Sequence, residues 1–159
     1  MTGLVVLAVA LLATIAVAAL IKARSGKVRA TAAPAAVADT RRTLLGEVGV
    51  PAAGPAIVHF SADWCGPCAA VRRVVAGTLA TLDARLPAEA DRPVDIELDI
   101  DENPALAREL GVLSLPTTFI FDRDGGQRFR VSGVPTASDL EQALVPLCRP
   151  EGSHPEETR

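Results

Sequence analysis

The chain has no tyrosine, one tryptophan, four phenylalanines and three cysteines in 159 residues. Three unevenly placed cysteines are too few to stitch together a small secreted fold, which depends on several even-numbered pairs. Two of them must instead be read as a local motif. There is no excess of positive charge either: a formal net charge of −3 leaves no electrostatic footprint for nucleic acid, so no DNA or RNA partner is expected. Length bounds the rest, because domains most often run to about 100–150 residues. One folded unit with appendages is expected, in a composition rich in Ala, Val, Leu and Arg.

From Leu4 to Ile21 every residue is apolar except Thr14. About 18 such residues cross a hydrocarbon core of about 30 Å as a helix, which satisfies its own backbone hydrogen bonds. A cleaved signal peptide is the rival reading, since Ala30-Thr31-Ala32 and Ala36-Val37-Ala38 offer small residues of the kind a signal peptidase accepts. Signal peptides carry their positive charge ahead of the apolar run, however. Here Met1, Thr2 and Gly3 precede it, and Lys22, Arg24, Lys27 and Arg29 follow it. The positive-inside rule then predicts a single-pass membrane protein with its N-terminus outside and everything after Ile21 on the cytoplasmic face. Residues 22–42 lack hydrophobic periodicity and read as a basic juxtamembrane segment and linker. Each basic charge near anionic lipid adds about 1 kcal/mol of attraction. The expected division is an anchor over 1–21, the linker over 22–42, a folded domain over 43–148 and a charged, flexible tail over 149–159.

Within the domain, Leu44 to Val50 suits either a short helix or a strand. Ala56-Ile57-Val58-His59-Phe60 follows Gly54-Pro55 and predicts a strand buried on both faces, delivering the chain to the cysteines. Val71, Val74, Val75, Leu79, Leu82 and Leu86 then keep the three-and-four spacing of an amphipathic helix. Val94, Ile96, Leu98 and Ile100 alternate with acidic residues, the period of a strand. Asn103-Pro104 predicts a capped helix start and Gly111 its end. Thr117 to Phe121, a turn at Asp124-Gly125 and Gln127 to Val131 predict a hairpin. A last helix over 138–147 is expected, with Ser138 as cap and Glu141 as its capping-box partner. Alternation followed by a hairpin predicts an α/β fold with a mixed central sheet flanked by helices on both faces.

Cys65 and Cys68 bracket Gly66-Pro67. Where such a segment turns into a helix, unpaired N–H groups and the positive dipole end favour a thiolate at the first cysteine. Lowering a thiol pKa from about 8.5 to about 7 raises the thiolate fraction at neutral pH from a few per cent to about half, a gain on the order of tenfold. Attack by Cys65 on a substrate disulfide gives a mixed disulfide, which Cys68 resolves at high effective concentration. Gly66 leaves the approach open, Pro67 fits an early helical position, and Trp64 shields one side and offers a docking surface. Zinc is disfavoured, because beyond this pair the only ligand candidates of its type are Cys148, His59 and His154, none in a second pair. A purely stabilising disulfide closing so short a loop would constrain little.

Val58 to Cys68, with Trp64-Cys65-Gly66-Pro67-Cys68 inside it, then Leu98 to Pro104, Leu115-Pro116-Thr117, Gly125 and Gly133 resemble the thioredoxin family in order and spacing across residues 43–148. The resemblance implies a thioredoxin-like fold, dithiol reduction of protein disulfides, and a reductant or reductase that recycles the pair, with no cofactor besides it. It implies a cis peptide before Pro116, with Leu115, Pro116 and Thr117 facing the cysteines and binding an extended substrate segment. The chain departs from the family at three places. His59 stands where a buried Asp is usual and Glu97 where a Lys is, so the acid–base pair is exchanged, and His59, with Glu97 beside it, is expected to take the proton from Cys68; imidazole, with an unperturbed pKa near 6.5, suits that transfer. A packed core histidine is the alternative. Ser61 replaces a bulky aromatic, which implies a less covered cleft. Cys148 is expected to pack as a small apolar residue. Two other functions remain open on sequence: an extracytoplasmic thiol-disulfide protein, for cofactor attachment or disulfide handling, and a non-catalytic interaction module.

Overall fold

The computed structural model describes residues 6–7, 10–17, 29–30 and 38–148. Residues 10–17 are helical, and Thr14 Oγ1 donates to the Ala10 carbonyl at 2.8 Å, so the one polar side chain of the apolar run bonds within its own helix. Among the described residues no helix is long and apolar enough to cross a membrane. The other positions of the 4–21 run, residues 22–28 and 31–37, and the tail 149–159 lie outside the described residues.

The elements are β1 (Arg29–Ala30), α1 (Ala38–Glu47), β2 (Ala56–Ser61), α2 (Cys68–Arg85), β3 (Val94–Asp99), α3 (Pro104–Glu109), β4 (Thr117–Phe121), β5 (Gln127–Ser132) and α4 (Ala137–Leu144), followed by a 3₁₀ turn at Val145–Cys148. The sheet runs in the order β1-β5-β4-β2-β3. Strand β2 pairs parallel with β3 and antiparallel with β4, while β5 is antiparallel to β4 and β1 antiparallel to β5. A parallel neighbour needs a crossover, and α2 provides it.

Every residue of β2 is buried, as its apolar run and central place require. Its side chains alternate between two cores. Val58 and Phe60 pack with Leu45 of α1, Leu106 of α3 and Leu110 just after it, and Phe119 and Phe121 of β4. Ile57 and Ile120 pack with Val71, Val75 and Leu82 of α2 and Leu140 and Leu144 of α4. The sheet therefore has helices on both faces, as the alternation predicts.

Several local expectations are corrected. The ambiguous stretch around Leu44 is helix, and that helix starts at Ala38, inside the segment read as linker. Among its residues of described burial Leu45 alone is fully buried, so its apolar stripe is too thin to show in the sequence; docking of that leucine on the sheet decides. The linker also contributes β1, held by backbone pairing that leaves no side-chain pattern. Asn103 sits at the N-cap of α3 without a side-chain cap, its amide donating instead to the Asp99 carbonyl at 3.0 Å. The cap of α4 is Thr136, whose hydroxyl accepts from the Asp139 N–H at 3.1 Å. Ser138 lies two residues too late for that role, inside the first turn, and accepts from Gln142. The α-helix also stops short of 147, because Pro146 has no N–H to continue it and the chain tightens into the 3₁₀ turn. The hairpin is as predicted, with Gly125 at φ +74°, a left-handed conformation that glycine adopts without strain.

Candidate functional site

The site forms where β2 ends and α2 begins. Ser61 closes the strand, residues 62–67 turn, and Cys68 is the first residue of α2 behind Pro67, which takes the N-cap position at φ −68°. Cys65 and Cys68 form a disulfide with Cα atoms 5.5 Å apart. The two differ in access: Cys65 is 8% exposed and Cys68 1%. Cys65 is thus the sulfur an incoming disulfide reaches first. Cys68 Sγ lies over the end of β2, 4.0 Å from the Phe60 carbonyl oxygen. At Gly66 a Cβ would meet nothing within 4 Å, so the fold itself does not demand glycine there and the approach is open on that side. Trp64 is 71% exposed, so it covers the pair less than the sequence suggests.

Opposite the pair, the peptide between Leu115 and Pro116 is cis, as the resemblance implies. Leu115 and Ile100 pack against Ala62, Cys65 and Cys68. Pro116 and Thr117 are buried. The Thr117 hydroxyl donates to the Ser114 carbonyl at 2.7 Å, and the Pro116 carbonyl accepts from the Gly133 N–H at 2.8 Å. These contacts fix the turn, which leaves Leu115 as the member of the trio facing the cysteines. Leu113, two residues earlier, is the most exposed large apolar side chain described; it went unnoticed in the sequence because it belongs to no periodic pattern.

One residue before Phe60, whose carbonyl lies near Cys68 Sγ, His59 of β2 is 1% exposed and sits in register with Glu97 of β3 and Thr118 of β4. The expected pairing of His59 with Glu97 is only partly met. His59 Nε2 lies 3.2 Å from Asp95 Oδ1, at an angle that makes no hydrogen bond. Glu97 instead accepts from Arg72 Nε of α2 at 2.8 Å. Asp95 and Arg72 were not foreseen as neighbours. The signal was present in the period of two, since Asp95 and Glu97 share one strand face, but only parallel pairing with β2 brings that face beside His59.

The chain matches the thioredoxin family over residues 46–145. It belongs to the thioredoxin family. A thioredoxin from Staphylococcus aureus is 36% identical over 91 residues, 57% of this chain and 80% of that protein. Among solved structures, chloroplastic thioredoxin z is 27% identical with a TM-score of 0.53, over 67% of this chain and 88% of its own. Fasciola hepatica thioredoxin shares the fold at 23% identity and a TM-score of 0.50, over 67% and 89%. With a cysteine pair at disulfide distance, the chain is a disulfide oxidoreductase of this family.

In this thioredoxin-family site Ser61 is buried. It is 6% exposed and its side chain hydrogen-bonds the Glu97 carboxylate. Burial raises the Glu97 carboxyl, but the Ser61 and Arg72 hydrogen bonds and the attraction of His59 and Arg72 outweigh it and hold the group below its ordinary 4.5. A carboxyl lowered by folding stabilises the fold above its ordinary value, and that contribution disappears as pH falls through the folded value. Glu97→Gln should therefore lower stability at pH 6, with the gap to the parent narrowing below 4.5, as read by urea melts across pH. A gap independent of pH would remove the carboxylate from the account.

Cys148 is the third thiol, free and fully buried among Ile57, Leu140 and Leu144, where it packs as a small apolar residue. Burial, with the charge of Asp91 added and Arg92 opposing, pushes its thiol up to about 11. Roughly one thiol in a thousand is then ionised at pH 8. In the oxidised, folded protein iodoacetamide should leave Cys148 unmodified by mass and label it fully in urea. Among the described residues no group of three His, Cys, Asp or Glu is placed to hold a metal ion.

Proposed function

We propose that this chain is a membrane-anchored protein-disulfide reductase whose domain faces the cytoplasm. The observation that carries the redox part is the unequal burial of a paired Cys65 and Cys68 at the start of α2 beside Leu115. Cys65, as thiolate, attacks one sulfur of a substrate disulfide; a mixed disulfide forms and the substrate's other sulfur leaves as thiolate. The Cys68 thiol then gives its proton to His59, and its sulfur attacks Cys65 Sγ, releasing the second substrate thiolate and closing the Cys65–Cys68 disulfide. Two electrons have passed to the substrate. A soluble reductant or reductase returns them by the reverse exchange. Trp64, Gly66, Pro67 and the Leu115 to Thr117 turn frame the groove for an extended substrate segment. Glu97, held by Arg72 and Ser61, fixes the polar wall beside His59 and is not itself the proton acceptor.

The anchor rests on the apolar run 4–21, whose one hydroxyl is bonded within the helix, and the orientation on Lys22, Arg24, Lys27 and Arg29. Two experiments test the reading. His59→Gln should slow resolution of the mixed disulfide while leaving attack by Cys65 near its parent rate in stopped-flow; equal loss of both steps would sink the relay. For topology, a membrane-impermeant maleimide is applied to cells carrying Cys65→Ala, Cys68→Ala, Cys148→Ala and Ser153→Cys together. Labelling only after permeabilisation supports the cytoplasmic reductase. Labelling in intact cells makes the chain an extracytoplasmic thiol-disulfide protein.

A further inference from the structure

The direction in which the chain enters the sheet has a consequence for what the cysteines meet. Strand β2 runs toward the cysteine pair. Antiparallel pairing of Phe60 with Thr117 puts the start of β4 at that end, and pairing of Thr117 with Ser132 puts the end of β5 there too. Strand β1 is antiparallel to β5, with Arg29 opposite Arg130 and Ala30 opposite Phe129. The backbone therefore arrives at Arg29 from the cysteine end and moves away from it at Ala30. Three strand spacings separate β1 from β2, about 14 Å across the sheet.

Only residues 22–28 lie between Ile21, the last residue of the apolar run, and Arg29. Seven residues reach about 25 Å at full extension, whereas the segment 22–37, released from the sheet, would reach about 55 Å. We infer that pairing of Arg29–Ala30 with β5 turns the Cys65–Cys68 end of the domain toward the bilayer, so that the disulfides it reduces are those of membrane proteins close to the membrane surface. This rests on the anchored reading above. The hairpin at Asp124-Gly125 and the loop around Glu89, at the opposite end of the strands, face away from the membrane.

Trp64, the single tryptophan, lies beside Cys65 and is exposed, which makes it a native reporter of the distance between site and bilayer. The full chain is placed in nanodiscs of phosphatidylcholine and phosphatidylglycerol carrying a dansyl headgroup, and energy transfer from tryptophan is measured. Two comparison proteins move the tryptophan to the far end: Trp64→Phe with Asp124→Trp, and Trp64→Phe with Glu89→Trp, both at exposed positions. A strand of six residues spans about 20 Å, and transfer falls with the sixth power of distance, so severalfold stronger transfer from Trp64 than from either far-end position is expected. In an antiparallel ladder adjacent residues turn their N–H groups to opposite sides, so Arg29→Pro and Ala30→Pro are combined to remove whichever one pairs with β5. That change should bring the ratio toward one. Flotation of the parent protein with vesicles of the same lipids after alkaline wash is measured alongside. Loss from the vesicles overturns the anchor and the orientation together. Flotation with equal or reversed transfer, or a ratio unmoved by the double proline, overturns the orientation alone.

Discussion

Cys68→Ser is expected to convert the enzyme into a trap: substrate proteins accumulate as adducts on Cys65, and turnover falls by about three orders of magnitude or more. The size of the effect follows from what Cys68 supplies. Its sulfur is held at bonding distance from Cys65, and well-oriented intramolecular partners act at effective molarities of about 10⁵–10⁸ M, far above any external thiol. Losing that partner leaves attack intact, since Cys65 is the more accessible sulfur, but leaves resolution to bulk reductant. Non-reducing electrophoresis of cells carrying the variant should show high-mass adducts that collapse on adding dithiothreitol, and mass spectrometry should place the linkage at Cys65. Cys65→Ser should give no adducts and no turnover. Adducts on Cys68 in that second variant, with none in the first, would reverse the two roles. Unchanged biological activity of Cys65→Ser would instead favour a binding module.

Much of this site is legible in the sequence because its chemistry is local. Cys65, Cys68, Pro67 and Trp64 are contiguous, and the strand that delivers them is an uninterrupted apolar run ended by a turn. The hairpin is legible for the same reason, its turn residues lying between two strand-forming segments. What is not legible depends on contacts between segments. That Glu97 would bond Arg72 and Ser61, leaving Asp95 nearest His59, requires the register of β2 on β3 and the placement of α2 across both. The two-residue β1 has no side-chain signature at all, and α1 buries a single leucine completely. For α4 the sequence reading takes Ser138, with Glu141 three positions on, as the cap. Thr136, extended at ψ 152° directly after Pro135, starts the helix first and takes Ser138 into its opening turn.

Phe119→Ala should cost about 3–5 kcal/mol of stability, a large share of the roughly 5–15 kcal/mol that holds a typical domain. The scarcity of aromatics is the reason. Of the four phenylalanines in the chain, Phe60, Phe119 and Phe121 are fully buried in the core between the sheet and helices α1 and α3. Phe119 is the central one. Its ring meets Phe60 edge-on at 6.1 Å and 85°, lies 6.4 Å from Phe121, and carries the Arg130 guanidinium 5.2 Å from its centre. Truncation therefore removes the transfer energy of one ring, empties the middle of the cluster and strips an aromatic pair worth about 0.5–1.5 kcal/mol beyond its area. Arg130 limits collapse of the hole from the β5 side, because its guanidinium is tied to the Leu110 and Gly111 carbonyls at 3.1 and 2.8 Å and closes the C-terminal end of α3. Urea melts should show the midpoint fall with the slope unchanged. Phe119→Leu, which refills most of the volume, should recover more than half the loss. Ile100 and Leu115 pack against both this core and the cysteine pair, so the exchange rate of the folded fraction of Phe119→Ala reads how far collapse of the cavity reaches the site. A cost under about 1 kcal/mol would mean that this core reorganises around the missing ring, which the packing of large side chains on both sides of it opposes.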